Sequence, residues 1–182
     1  MTRTSDPTFD ADGALEGAFG PLAVKMLTDT PLVDVWRVNF IANHFTVPIY
    51  RELGEMFGLS RPEFVILFCL SQKPGLAAKD ICGATGRPKN SISRAVSDLL
   101  RKGLIEREAR DEDRRSKTLI MTPAGQDLLD TVLPMVRHRQ EAMLAPLSAD
   151  ERDQFALLLD KVVLGMPDWA LTARARELED VV

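Results

Sequence analysis

At 182 residues and 45% hydrophobic composition, the chain fits a single domain with a sizeable core. Its two cysteines, Cys69 and Cys82, stand apart from any metal-ligand spacing, and its longest apolar run, residues 64–70, is far below the roughly 20 residues that cross a bilayer. The net charge of -4 hides an asymmetry: residues 87–117 carry ten Lys or Arg against six Asp or Glu, while the remainder carries 13 and 21, as expected if one face meets phosphates and an acidic body keeps the molecule soluble.

Residues 1–29 hold Asp, Gly, Pro and Thr without periodicity and are expected to form a flexible arm. Residues 1–19 lack the basic start and apolar core of a leader, so a cytoplasmic location is expected. Thr30-Pro31 reads as an N-cap followed by proline at the first helical position. A long helix to about Phe57 is expected to follow, bent where Pro48 removes the hydrogen bond to the His44 carbonyl and ended by Gly58. Ser60-Arg61-Pro62-Glu63 is a capping box that opens a second helix, which ends near Lys73-Pro74-Gly75.

A short helix over residues 77–83 and a turn at residues 84–86 lead to a helix that starts at Pro88 and closes at Gly103. On it Ile92, Ala95, Val96 and Leu99 share one side, and Asn90, Ser93, Arg94, Ser97 and Arg101 the other. Residues 104–109 and 117–121 have strand-forming composition around a charged loop, which predicts a hairpin. Thr122-Pro123 repeats the cap-then-proline signature and starts a helix to about Leu144 with an apolar stripe of Leu128, Leu129, Val132, Leu133 and Val136, bent at Pro134. Ser148-Ala149-Asp150-Glu151 is a further capping box, heading a helix with Phe155, Leu158, Leu159, Val162 and Val163 on one face; a last short helix is expected after Pro167.

The resulting order is a mainly α layout: a winged helix-turn-helix with a small β-hairpin wing, flanked by long helices. The expected division is a flexible arm over 1–29, a long helix over 30–58, a winged helix-turn-helix lobe over 59–122 and C-terminal helices over 123–182. A helix with a buried inner side and an outer row of Asn, Ser and Arg suits the major groove, where paired hydrogen bonds let Asn read adenine and Arg read guanine. Asn90 and Arg94 are therefore the candidate base readers. Lys89, Ser91, Ser93, Ser97 and Arg101 complete the DNA-facing set, as residues suited to gripping phosphates. Arg114 and Arg115 at the hairpin tip suit the adjacent minor groove, with Asp113 orienting them.

These segments resemble the MarR family of bacterial regulators. The similarity lies in Asp98-Leu99-Leu100-Arg101-Lys102-Gly103-Leu104-Ile105, in the wing core Asp111-Glu112-Asp113-Arg114-Arg115, and in Thr122-Pro123-Ala124-Gly125, a Thr-x-x-Gly helix start. The resemblance spans residues 30–164. It implies a homodimer with interlocked first and last helices, which makes 30–58 and 123–182 long dimerisation helices around a DNA-binding lobe over 59–122, a pseudo-palindromic double-stranded DNA operator, and repression relieved by a small effector such as an aromatic acid or a thioester.

Trp36, Phe40 and His44 recur at a spacing of four and are candidates for an aromatic ligand pocket, with Asn43, Phe64 and Phe68 as neighbours and Arg37 as a partner for a ligand carboxylate. Core packing explains the same aromatic residues, and a surface ion pair the same arginine. Cys69 reads as a buried small hydrophobe, and Cys82 as a candidate for redox response beside a basic segment. The competing reading of the whole is a winged-helix module for protein contacts. Two histidines, no Gly-rich phosphate loop and no nucleophile elbow exclude the common enzyme classes, and neither a cofactor nor a metal is expected.

Overall fold

The computed structural model describes residues 11–109 and 117–166. Its elements in chain order are α1 (Ala11–Phe19), α2 (Pro21–Thr28), α3 (Val33–Phe57), α4 (Arg61–Gln72), α5 (Ala78–Thr85), α6 (Lys89–Arg101), β1 (Ile105–Ala109), β2 (Lys117–Met121), α7 (Pro123–Leu144) and α8 (Ala149–Leu164). The chain divides into two compact units between Val136 and Arg137, within α7.

The core of the first unit is built from α3, α4, α5, α6, the hairpin and the start of α7. Leu53, Leu59, Ile66, Leu67, Leu70, Ile81, Ile92, Leu99, Leu129 and Val132 are its most deeply buried side chains. Ser60 opens α4 with the expected capping box: its backbone N–H donates to Glu63 Oε2 at 2.8 Å, and its hydroxyl also meets that oxygen, at 2.7 Å. Gly58 ends α3 in the left-handed region at φ 60°, which glycine enters without steric cost. Pro48 and Pro134 lie inside α3 and α7 without ending either helix.

Two expectations need correction. The part of the arm over residues 11–28 is helical: Gly20, at φ 81°, separates α1 from α2, and Pro21 occupies the first helical position of α2. The segments lack a clear apolar period because tertiary contacts hold them. Leu27 is buried, Arg37 Nε donates to the Leu27 carbonyl at 3.1 Å, and the Phe19 ring packs edge-on against Phe40. Nor is Thr30 the cap of the long helix. Leu32 holds that position, and Thr30 Oγ1 instead accepts from the Leu32 N–H at 3.3 Å, a local turn that precedes the helix.

The hairpin pairs β1 and β2 antiparallel, Ile105 opposite Met121 and Ala109 opposite Lys117. It is pinned to the segment after α4: Leu119 N–H donates to Leu76 O at 2.9 Å, and Gly75 N–H to Leu119 O at 3.2 Å. Thr122 caps α7, with its Oγ1 accepting from Gly125 N–H at 3.1 Å and donating to Gly103 O at 2.7 Å.

In the second unit, Ser148 and Glu151 form the expected capping box of α8. On that helix Leu158, Leu159 and Val163 are exposed. The helix expected after Pro167 lies outside the described residues.

Candidate nucleic-acid interface

The helix α6 follows α5 through Gly86, whose left-handed φ of 64° closes α5, and Pro88, which stands at the N-cap of α6. Its two sides differ sharply. Ile92, Ala95, Val96 and Leu99 are buried, whereas Lys89, Asn90, Ser93, Arg94, Ser97 and Arg101 are exposed and Ser91 is half-buried. Burial of one stripe fixes the rotation of the helix, so the polar row has a defined outward direction.

Its C-terminal end is tied to α4 by charge. Lys102 Nζ donates to the Gly58 carbonyl at 2.7 Å and to Glu63 Oε1, and Glu63 is only 3% exposed. Burial would raise the Glu63 pKa, but the hydrogen bonds from Lys102 and Ser60 outweigh it and hold the carboxyl below its usual value. The spacing of Ser60 and Glu63 revealed their capping role, whereas no local signal links Glu63 to Lys102, 39 residues away.

Several of the candidate DNA-facing side chains are already engaged. Asn90 Oδ1 accepts from the Ser91 N–H at 2.8 Å, which uses one of its two lone pairs and leaves its NH2 group outside that bond. Ser97 donates its hydroxyl to the Ser93 carbonyl at 3.1 Å. Arg101 is paired with Asp98 at 2.6 Å. Arg94 lines a cavity of about 390 Å³ with Ser60 and Pro62 of the α4 start and with Asn90, Ser91, Ala95 and Asp98. Asp113, Arg114 and Arg115 lie outside the described residues.

The aromatic candidates gather in two ring clusters. Phe40 and His44 stack at 3.9 Å, and Phe19 meets both edge-on at 5.0 and 5.4 Å. Phe64 stacks with Phe68 at 6.0 Å and meets Tyr50 at 5.6 Å. Trp36 and Asn43 are exposed on α3. Arg37 pairs with Asp34 at 3.5 Å besides holding the Leu27 carbonyl, so the ion-pair alternative describes it in this structure. Cys69 and Cys82 are both reduced and half-buried, and burial pushes the Cys69 thiol up, away from the reactive thiolate. Among the described residues no group of three His, Cys, Asp or Glu is placed to hold a metal, and no helix is long and apolar enough to cross a membrane.

A family model described as the MarR family matches residues 57–116, from the last residue of α3 to the residue before β2. The HTH-type transcriptional repressor Rv2887 of Mycobacterium tuberculosis is 32% identical over 108 residues, which cover 58% of this chain and 76% of that protein. Among solved structures, a MarR-family regulator from Silicibacter pomeroyi superposes with a TM-score of 0.66 at 27% identity, over 73% of this chain and 89% of that one. BpsR of Bordetella bronchiseptica, whose DNA binding is regulated by 6-hydroxynicotinic acid, shares the fold with a TM-score of 0.61 at 21% identity, over 69% of this chain and 95% of that one. On these matches the chain belongs to the MarR family of transcriptional regulators, DNA-binding proteins without enzymatic activity.

Proposed function

We propose that the protein is a homodimeric repressor that lays α6 of each protomer in the major groove of a pseudo-palindromic operator and is released by a small aromatic acid or related thioester. The carrying observation is the division of α6 into a buried apolar side and an exposed row of Lys89, Asn90, Ser93, Arg94, Ser97 and Arg101. Asn90 and Arg94 read bases; Lys89, Ser91, Ser93, Ser97 and Arg101 hold phosphates, and Arg114 and Arg115 of the wing enter the minor groove with Asp113 orienting them. Binding then exchanges an existing bond, because Arg101 gives up Asp98 to hold a phosphate.

Dimerisation is supported by exposed apolar surface. Val35, Val38, Ile41 and Val47 on α3, and Leu158, Leu159 and Val163 on α8, are all at least 44% exposed, a density of exposed aliphatic side chains that a second copy would remove from water. The regulator BpsR, with its 6-hydroxynicotinic acid, supports an aromatic acid as effector class. We assign the effector to the aromatic residues Trp36, Phe40, Asn43 and His44, with Phe64 and Phe68 as further lining. Arg37 meets an effector carboxylate only by leaving Asp34 and the Leu27 carbonyl.

The test is fluorescence anisotropy of the protein against its own upstream intergenic DNA and a scrambled duplex. Sequence-preferring binding is expected, and Arg94→Ala should cost roughly 1 to 3 kcal/mol of discrimination at one base position. Equal affinity for every duplex, unchanged in Arg94→Ala, would remove the base-reading assignment. Sedimentation at micromolar concentration reports the dimer, and a monomer would refute it.

A further inference from the structure

Burial of Ile92, Ala95, Val96 and Leu99 fixes the rotation of α6 about its axis. Apolar packing is non-directional, so it sets the position along that axis less tightly than hydrogen bonds do. The side-chain hydrogen bonds of Asn90, Ser97 and Arg101 stay within α6. Lys102, its C-cap, reaches outside. Its Nζ donates at 2.7 Å to the carbonyl of Gly58, the C-cap of α3, and also to Glu63 Oε1 in the first turn of α4. The other Glu63 oxygen meets the Ser60 N–H at 2.8 Å and the Ser60 hydroxyl at 2.7 Å. One ammonium therefore joins the ends of three helices.

Capping does not by itself call for this arrangement. At the start of α8, Glu151 accepts from the Ser148 N–H at 2.8 Å and the Ser148 hydroxyl at 2.9 Å while exposed to solvent. Glu63 makes the same cap at only 3% exposure, with a cation on its second oxygen. A buried ion pair adds little net stability, because desolvation offsets the attraction; what it supplies is a fixed geometry between the groups that carry it.

We propose that Glu63 and Lys102 are positioning residues for DNA reading: together with the Gly58 carbonyl they set where α6 stands along its own axis against the α3–α4 corner, and so where Asn90 and Arg94 meet the bases. The proposal rests on α6 being the helix that faces DNA. At 1.5 Å per residue, Arg94 and Asn90 lie roughly 12 and 18 Å along the helix from Lys102, so the pair acts on them through the helix and not by contact. A slide of about 1 Å takes both readers out of paired-hydrogen-bond range together.

Positioning and simple charge make opposite predictions for Glu63→Gln. Removing a negative charge and freeing Lys102 strengthens binding to every duplex if only electrostatics acts. If the pair positions α6, the same variant loses its preference for the operator. The experiment measures anisotropy of the full chain on the upstream duplex and on a scrambled duplex, from about 50 to about 200 mM KCl. Wild type is compared with Glu63→Gln, Lys102→Met, the double variant and Lys102→Arg, each well below its measured thermal unfolding. Both single variants should lose at least about fivefold in the ratio of the two affinities. The double variant should lose no more than the worse single one, because the two residues act as a pair. Lys102→Arg, which keeps charge and reach, should stay within about twofold of wild type.

A wild-type ratio in the double variant, which leaves no unpaired buried charge to disturb folding, would overturn the proposal. So would weaker binding to both duplexes in Lys102→Met with stronger binding in Glu63→Gln at an unchanged ratio, because Lys102 would then be one more phosphate contact. Arg94→Ala, run alongside, separates the two readings. If it loses the duplex preference while the double variant keeps it, only the positioning role falls; if it too keeps the wild-type ratio, α6 is not the reader and both fall.

Discussion

Gly125→Ala tests the close approach between the wing and α7. A Cβ at this position would sit 2.1 Å from the Leu104 carbonyl oxygen, 3.1 Å from the Leu104 carbonyl carbon and 2.9 Å from Met121 Cγ. Met121 can rotate away, but Leu104 O is backbone and already accepts from Thr122 N–H at 3.1 Å. Restoring ordinary contact moves that carbonyl by about 1 Å and breaks either this bond or the Thr122 cap on α7. Overpacking costs about 1 to 3 kcal/mol and a lost bond about 0.5 to 1.5, against a gain of about 1 for alanine over glycine in a helix. A net destabilisation of about 1 to 3 kcal/mol follows. Gly54→Ala is the matched control: Gly54 is exposed within α3, a Cβ there meets nothing within 4 Å, and its φ is ordinary, so a gain of about 0.5 to 1 kcal/mol is expected. Urea unfolding at fixed protomer concentration reads both changes. Gly125→Ala within about 0.5 kcal/mol of wild type would refute the argument that the Thr-x-x-Gly start exists to let the Leu104 carbonyl come close.

Leu99→Ala removes a side chain with no exposure at the centre of the buried stripe of α6; urea unfolding should show a loss of about 2 to 5 kcal/mol. Glu63 has a folded pKa held below its ordinary 4.5, so its contribution is present above that value and is lost as pH falls through the lowered folded value. The urea midpoint should therefore drop in that acid range, and Glu63→Gln should be less stable at neutral pH with a flatter acid profile; an identical profile would exclude the Lys102 link as its source. Ser148→Ala removes the acceptor of the Glu151 N–H at the start of α8 and should cost about 1 kcal/mol, read by the same unfolding assay.

Local physics made much of this protein legible before its fold was known. The apolar period of α6 needs only its own residues, and Ile92, Ala95, Val96 and Leu99 are buried as that period predicts. The boundaries of β2 and the end of α7 follow equally from local composition, and Ser148 with Glu151 caps α8 within one turn of chain. Such features rest on backbone preference and on neighbours three or four residues apart. The segments and contacts that depend on distant partners behave differently. The helices α1 and α2 are held by Leu27 burial, by Arg37 and by the Phe19 rings, none of which a period within residues 11–28 can express. Thr30 has the composition of a cap, but the chain begins its helix at Val33, where packing and not the hydroxyl decides.

The functional surface divides in the same way. The identity of the exposed row on α6 is written in its spacing, because burying one side of a helix determines what the other side presents. Its electrostatic state came from the tertiary structure: Asp98 occupies Arg101, Glu63 reaches Lys102 across 39 residues, and Arg61 at the start of α4 lies over the Tyr50 ring of α3. Hydrogen bonds and charge act over a few ångströms in space without regard to separation along the chain, so only the folded arrangement decides which cations are already paired and which are left to meet a phosphate.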